Sequence, residues 1–413
     1  MHNQYTDLFV NLPEVNVQQI VEIDKQTIHI QIVPKSCKQA CPICRSDRSV
    51  IRKGSNQTRK IRHTDAFGKI VYILAPAIRL FCKNCQAGFV WKYSFVRPGR
   101  RYSTAFEQQA IRTASVSTVK QSAEIYHIPA STLQTKHQQW LSVESERLRQ
   151  LAWNDALSSS HLVLGIDDFA IRKGHTYNTG IHDLRGETLL DILPGRKLDE
   201  LREYARKHPE FLALRPKAVV MDLAPYYHAW IQECFPGALR VADRFHVMRY
   251  VIDALQAVRK DVQGSLSARA RANLKAKHRL LNPQAASLPS EKQRELQEIL
   301  SYASLLQQVY AWKEALGEWY DGAPDAKVAA IWFDRWLEQG ELLQHPAVAA
   351  CIKTMRHWRT EIVHYHSCRW TNAAVEGRNN RMKAYQRRHY FTRNRERYVQ
   401  GLLVECNRER FGT

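Results

Sequence analysis

Two cysteine pairs, Cys41-Pro-Ile-Cys44 and Cys82-Lys-Asn-Cys85, constrain the chain more than any other feature. Two residues between thiolates let both sulfurs reach one ion at about 2.3 Å, and two such knuckles complete a tetrahedron. Unrelated buried thiols seldom fall into two matched pairs, so the spacing predicts structural Zn2+ on Cys41, Cys44, Cys82 and Cys85. The β-like runs between the pairs fit a zinc ribbon with a long insert. Cys37 is a spare thiol, and His63 is a weaker substitute ligand. Small zinc domains draw much of their folding energy from the ion. The basic residues around it (Arg52, Lys53, Arg59, Lys60, Arg62) would then be presented rigidly to phosphates.

The charge distribution points the same way. Over 413 residues, 61 Lys and Arg against 40 Asp and Glu give +21. Residues 35–103 contribute +14 and residues 369–413 contribute +7, leaving the rest neutral. Two basic blocks flanking a neutral body suggest two contacts with a polyanion, most simply nucleic acid. With 44% hydrophobic and 24% charged residues the chain reads as folded rather than disordered. Its apolar runs are far shorter than the ~20 residues a membrane span needs, and residues 1–14 do not read as a secretion signal. The expectation is a cytoplasmic protein, associated with the nucleoid when on DNA, with no membrane partner and its nine cysteines reduced.

The chain reads as a β-rich lead-in (1–36), a zinc-ribbon DNA-binding domain (37–100) and a helix-turn-helix domain (101–150), with a linker ending at Ser158-Ser159-Ser160. Residues 160–246 then alternate strands and helices, 247–368 read as an all-helical insertion, and 369–413 as a basic helical tail. Strands are expected at 162–166, 176–182, 188–193, 218–221 and 239–242. Residues 116–128 and 132–141, separated by Pro129-Ala130-Ser131 with Ser131 as the cap, fit either a helix-turn-helix or an ordinary helical hairpin. In the first case Thr132, Gln134 and Lys136, with Thr135, His137 and Gln138, face the DNA. The tryptophans at 312, 319, 332, 336 and 358 fall at helical spacings and read mostly as core.

Three acidic residues stand where chemistry is expected. Asp167 follows the apolar run 162–166, Asp222 follows 218–221, and Glu376 lies in the helix opened by Thr371-Asn372. Carboxylates at the carboxyl ends of sheet strands face the site-forming edge. Three that converge can hold two divalent cations ~3.5–4 Å apart for phosphodiester cleavage. Hard oxygen ligands favour Mg2+.

These motifs together resemble the transposases of bacterial insertion sequences of the ISL-three type. The matching stretches are the two cysteine pairs; Gly165-Ile166-Asp167-Asp168-Phe169-Ala170-Ile171-Arg172-Lys173-Gly174; Met221-Asp222-Leu223-Ala224-Pro225-Tyr226-Tyr227; Val241-Ala242-Asp243-Arg244-Phe245-His246-Val247; and Thr371-Asn372-Ala373-Ala374-Val375-Glu376-Gly377-Arg378-Asn379-Asn380-Arg381-Met382-Lys383. The resemblance covers residues 37 to 408. It implies an α/β RNase H-like catalytic core with an all-helical insertion, preceded by a zinc-ribbon domain and a helix-turn-helix domain. It makes Asp167, Asp222 and Glu376 the catalytic triad holding two Mg2+ (Mn2+ substituting), with Asp243 and His246 beside the site as a D-x-x-H signature. It implies binding to terminal inverted repeats and to target DNA, Mg2+-dependent strand cleavage and strand transfer, and a homodimer or larger assembly on double-stranded DNA. Arg172, Lys173, Arg378, Arg381 and Lys383 would neutralise phosphates near the site, while Arg52, Lys53, Arg59 and Lys60 would do so on the ribbon. Leu223 stands where the family has Met, and Ala373 where it has Gly. The competing class is a zinc-dependent, non-catalytic DNA-binding regulator on the same scaffold.

Overall fold

The structure is a computed structural model. It describes residues 12–172, 176–371, 373–389 and 394–412; for residues 170–172, 176 and 373–376 it gives the backbone alone. The chain divides into two compact units, residues 1–140 and 141–413.

The first unit opens with β1 (Val15–Asp24), β2 (Thr27–Pro34), β3 (Val50–Ala66), β4 (Lys69–Cys82) and β5 (Ala87–Val90), in one sheet of order β1-β2-β4-β3 with β5 on β4. Strand β2 runs parallel to β4 from Thr27↔Ile70 to Gln31↔Leu74. The lead-in is therefore part of the ribbon's own sheet, not a segment apart from it. In β4, Val71, Ile73 and Ala75 are buried at alternate positions, as a strand with one covered face requires. The β3–β4 turn has two central residues, Phe67 and Gly68, at φ 52° and 72°. That left-handed pair matches the twist of the flanking strands.

Three helices follow: α1 (Thr104–Val116), α2 (Val119–Ile125) and α3 (Ala130–Ser158). The Ser103 hydroxyl caps α1 by accepting the Phe106 N–H, and Thr118 caps α2 by accepting that of Gln121. Phe106, Ala110, Ala114, Ala123, Tyr126, Ile128 and Leu133 form their shared core. Helix α2 starts at Val119, later than the apolar pattern from 116 predicts, because Val116 ends α1, Ser117 closes it and Thr118 caps α2. Ser131 is not a cap; α3 begins at Ala130, and the Pro129 carbonyl accepts the first bonds, from Thr132 and Leu133. Residues 146–158 continue α3 and are not a linker.

The second unit is built on β6 (Val163–Arg172), β7 (Thr176–Asp183), β8 (Thr188–Pro194), β9 (Ala218–Met221) and β10 (Leu239–Ala242), in the order β10-β9-β6-β7-β8. Strand β7 is antiparallel to both neighbours; β9 and β10 run parallel to β6. Every residue of β9 is buried, as expected for a parallel strand covered on both faces. Helices α4 (Leu198–Lys207), α5 (Pro209–Leu212) and α6 (Pro225–Cys234) pack on this sheet through Leu201, Tyr204, Phe211 and Trp230.

A helical segment follows: α7 (Arg244–Val262), α8 (Ala268–Lys277), α9 (Ser290–Leu300), α10 (Ser304–Gly322), α11 (Ala326–Glu341), α12 (Pro346–His357), α13 (Arg359–Val363) and α14 (Tyr365–Cys368). At its centre Trp312 and Trp336 stack at 4.4 Å and 7°. Each indole N–H donates to the other's carbonyl, at 3.0 and 2.8 Å, so both buried donors are satisfied. Trp319 and Trp358 are also buried; Trp332 is 41% exposed. Finally α15 (Ala373–Arg388) and α16 (Arg395–Phe411) return to the sheet, joining Met382, Tyr385, Leu402 and Leu403 to Phe169, Leu189 and Ile192.

Candidate active site

The register of two strands places the carboxylates. Strand β6 pairs with β9 only from Val163↔Ala218 to Ile166↔Met221. Beyond that rung β9 ends, while β6 continues against β7 through Asp167↔Gly180 and Asp168↔Thr179. Asp167 is therefore not at the end of its own strand, as the apolar run predicted. It lies where its neighbour stops, level with Asp222, the first residue after β9. Oxygens of Asp167, Asp168 and Asp222 lie within 4.8 Å of one another, as do ligand atoms of Asp222, Asp243 and His246. Asp243 follows β10, its N–H donating to the Met221 carbonyl at 2.9 Å, and His246 sits in the first turn of α7.

So dense a group of acids is electrostatically strained. Burial, reinforced by the Asp222 charge, pushes the Asp167 carboxyl up to about 7. Burial also raises Asp222, against the opposing pull of His246. Burial alone would lower the His246 imidazolium, but Asp222 and Asp243 outweigh it and hold it up to about 10. The imidazole Nδ1 forms an ion pair with Asp222 and lies 3.4 Å from Asp243 Oδ2. Such a cluster demands positive charge, and its all-oxygen donors with one imidazole fit a hard divalent cation.

Three further residues, not foreseen from sequence, shape this site. Asn379 Nδ2 donates to Asp167 Oδ2 at 2.5 Å. Arg196 donates to Asp168 at 2.5 Å and lies over the Tyr177 ring at 3.8 Å. His228, buried under the site, is bonded to the Asp222 carbonyl at 3.1 Å. Asn379 could have been found from periodicity, because it follows Glu376 by three residues on α15. Glu376 itself lies in the first turn of α15; its side chain is outside the described residues.

In the first unit, Cys41 and Cys44 precede β3, Cys82 ends β4, and Cys85 lies in the β4–β5 turn. Their sulfurs lie within 4.8 Å of one another. A tetrahedron with Zn–S near 2.3 Å has edges of about 3.8 Å; Cys44 and Cys82 are 3.8 Å apart. The residue after each knuckle, Arg45 or Gln86, is left-handed (φ 57° and 50°), so both loops fold back in the same way. Without a cation the thiols cannot all ionise. The Cys44 N–H, helped by that of Ile43, holds Cys41 down to about 7, whereas the contact with Cys44 pushes Cys85 up to about 12. The residues fit structural zinc.

The DNA-contact candidates fare unequally. Arg52, Lys53 and Lys60 are exposed on β3, and Arg59 is half-buried, donating to the Arg100 carbonyl at 2.9 Å. Thr132 and Gln134 are half-exposed on α3, but Lys136 is committed to Glu107 of α1 at 2.5 Å and His137 is buried. Lys383 is exposed and Arg381 pairs with Glu409 at 2.6 Å. Arg378 is only 7% exposed and donates to His182 Nδ1 at 3.2 Å, so it lies behind the open surface. Lys173 and the Arg172 side chain lie outside the described residues.

Comparison with known proteins agrees with this layout. A family model described as a transposase, of the DDE ISL3 type, matches residues 164–401. A second, for the zinc finger of the transposases of IS204, IS1001, IS1096 and IS1165, matches 38–85, and a third, for the helix-turn-helix domain of ISL3 transposases, matches 92–136. The transposase for insertion sequence element IS1001 of Bordetella parapertussis is 26% identical over 375 residues, covering 90% of this chain and 89% of that protein. A zinc ribbon, a helix-turn-helix and a domain that gathers acidic residues define a DNA transposase, an enzyme that cuts and transfers DNA strands. The chain belongs to the ISL3 family of transposases.

Proposed function

We propose that Asp167, Asp222 and Glu376 are the catalytic carboxylates of an RNase H-like core that cuts the ends of an insertion sequence and joins them to target DNA. The observation that carries this reading is the convergence of Asp167 and Asp222 where β6 outruns β9. The strand order supports it: in chain order it reads third, second, first, fourth, fifth, with only the second strand antiparallel, as in an RNase H-like sheet. Glu376 precedes Asn379 by one helical turn on α15, and the docking of Asn379 on Asp167 supports including Glu376 in the site.

Two Mg2+, with Mn2+ able to replace them, would supply activation of a water and charge stabilisation at the leaving oxygen. The chain's own residues do the rest. Asp167, Asp222 and Glu376 provide oxygen ligands, and Asp243 and His246 flank them. Asn379 holds the orientation of Asp167, and Arg196 holds Asp168. His246 balances the Asp222 charge when the site lacks other cations.

Exposed Arg52, Lys53 and Lys60 would track backbone phosphates, and Thr132 and Gln134 would read base edges in the major groove. Pairing two ends calls for at least two protomers on the DNA, in the bacterial cytoplasm at the nucleoid. The test is single-turnover nicking of a duplex carrying the inverted repeat that flanks the coding region. Cleavage is expected in Mg2+ or Mn2+ and none in EDTA; cleavage that persists in EDTA overturns the proposal.

A further inference from the structure

A charged cavity lies away from the carboxylates. It measures about 590 Å³ and is walled by the β7–β8 turn (Arg185, Gly186, Glu187), by α15 (Gly377, Arg378, Arg381) and by α16 (Cys406, Glu409, Arg410). Four guanidinium groups face two carboxylates. Three of the four are paired with carboxylates or carbonyl oxygens. Arg381 pairs with Glu409; Arg410 pairs with Asp155 and donates to the Gly186 carbonyl, both at 2.6 Å; Arg185 reaches the His161 carbonyl at 3.3 Å.

Arg378 differs. It is 93% buried, taking its 7% exposure from unity, and its bonded partner, His182, is held neutral because burial drives that imidazole well below its usual range. Its Nη2 is buried with no hydrogen-bond partner among the described residues. A buried cation bonded to a neutral ring and left with a free donor is costly unless an anion completes it. A planar guanidinium with a spare N–H is suited to a phosphate oxygen.

We propose that this cavity takes a phosphodiester of the DNA backbone, with Arg378 as its buried anchor and Arg185, Arg381 and Arg410 around the rim. Its volume holds a phosphate together with its sugar. The inference rests on the reading of the chain as a DNA-cutting enzyme and adds a fixed point for the strand. On β7, Gly180 is level with Asp167, and Asp183, which opens the turn, is three residues further on. At ~3.3 Å per residue the turn that walls the cavity opens about 10 Å along β7 from the level of Asp167. A strand held there is fixed in register without any contact to the reacting phosphate.

The test uses the full chain, a 30-base-pair duplex in Ca2+ or EDTA, and inorganic phosphate as a small probe. Arg185→Gln and Arg381→Gln replace rim residues that are exposed or half-exposed. Arg378→Lys keeps the charge and loses the fork. Each rim variant is expected to weaken duplex binding roughly tenfold, and equally for unrelated sequences. Each should lower the salt-dependence exponent by about 1. Phosphate should raise the melting temperature of the wild type and not of Arg378→Lys.

Loss of the phosphate response with unchanged duplex binding would overturn the DNA assignment in favour of a free anion. Rim variants that weaken binding to an acidic peptide but not to duplex would overturn it in favour of a protein contact. No change in either readout would overturn the cavity as a site. Binding is read in Ca2+ or EDTA, where no strand is cut, so failure of the cleavage reading would leave this result standing, and the reverse.

Discussion

Asn379 and Asp167, 212 residues apart in sequence, are joined by a 2.5 Å hydrogen bond from the amide to the carboxylate. It ties α15, the helix that carries Glu376, to the strand that carries the first acid of the proposed triad. Outer-shell bonds of this kind fix the orientation of a ligating group, and their loss typically costs 10- to 100-fold in activity. Asn379→Ala should therefore reduce end nicking by about 10- to 100-fold, with duplex affinity unchanged. Equal losses in both would assign Asn379 to the fold and not to the positioning of Asp167.

The zinc site makes a sharper stability prediction. Apparent binding free energies for structural zinc run to about 10–16 kcal/mol, against ~5–15 kcal/mol for the stability of a whole domain. Cys44→Ser or Cys82→Ser should abolish the one bound zinc per chain, measured by elemental analysis, and melt the sheet of the first unit. A variant that keeps stoichiometric zinc would place the metal elsewhere.

The Trp312–Trp336 pair should act as the keystone of the helical segment. Trp336→Ala removes a buried ring and leaves the Trp312 carbonyl without its donor. A loss of about 3–5 kcal/mol in urea unfolding is expected, and Trp336→Phe should lose less. A cost below about 1 kcal/mol would show that the segment repacks freely.

The raised Asp167 carboxyl has a defined pH signature in the metal-free protein. Because folding lifts this acid from 3.8 to about 7, the folded state favours its protonated form. That contribution is fully present below about pH 4 and is lost as pH rises through 7. In EDTA, Asp167→Asn should gain stability relative to the wild type between pH 4.5 and 7.5. A difference that stays flat over that range would contradict the strained cluster.

Much of this was legible in the sequence, for reasons that vary with the residue. The cysteine spacing announced its ligand set because the knuckle is local, closed within four residues each time. Strands β9 and β10 matched their apolar runs residue for residue; every residue of β9 is buried, so it has no polar face to blur its ends. Strand β6 did not. Its last residues are ladder-paired to β7 on one side only, so the pattern stops at Ile166 while the strand runs to Arg172. The partners of single charges were illegible for a related reason. Nothing near Lys136 in sequence points to Glu107, and nothing near Arg378 points to His182. Those pairings are made by packing between distant elements; the first takes Lys136 out of the DNA-facing set, and the second draws Arg378 in from the surface.

The central claim is that Asp167, Asp222 and Glu376 act together on the scissile phosphate. Strand transfer from a pre-nicked end duplex, followed by denaturing electrophoresis in Mg2+, tests it most directly. Asp222→Asn and Glu376→Gln should each lower joined product at least a thousandfold while binding the same duplex as tightly as the wild type, ~4 kcal/mol of lost transition-state stabilisation. Either variant joining strands at the wild-type rate would contradict the account.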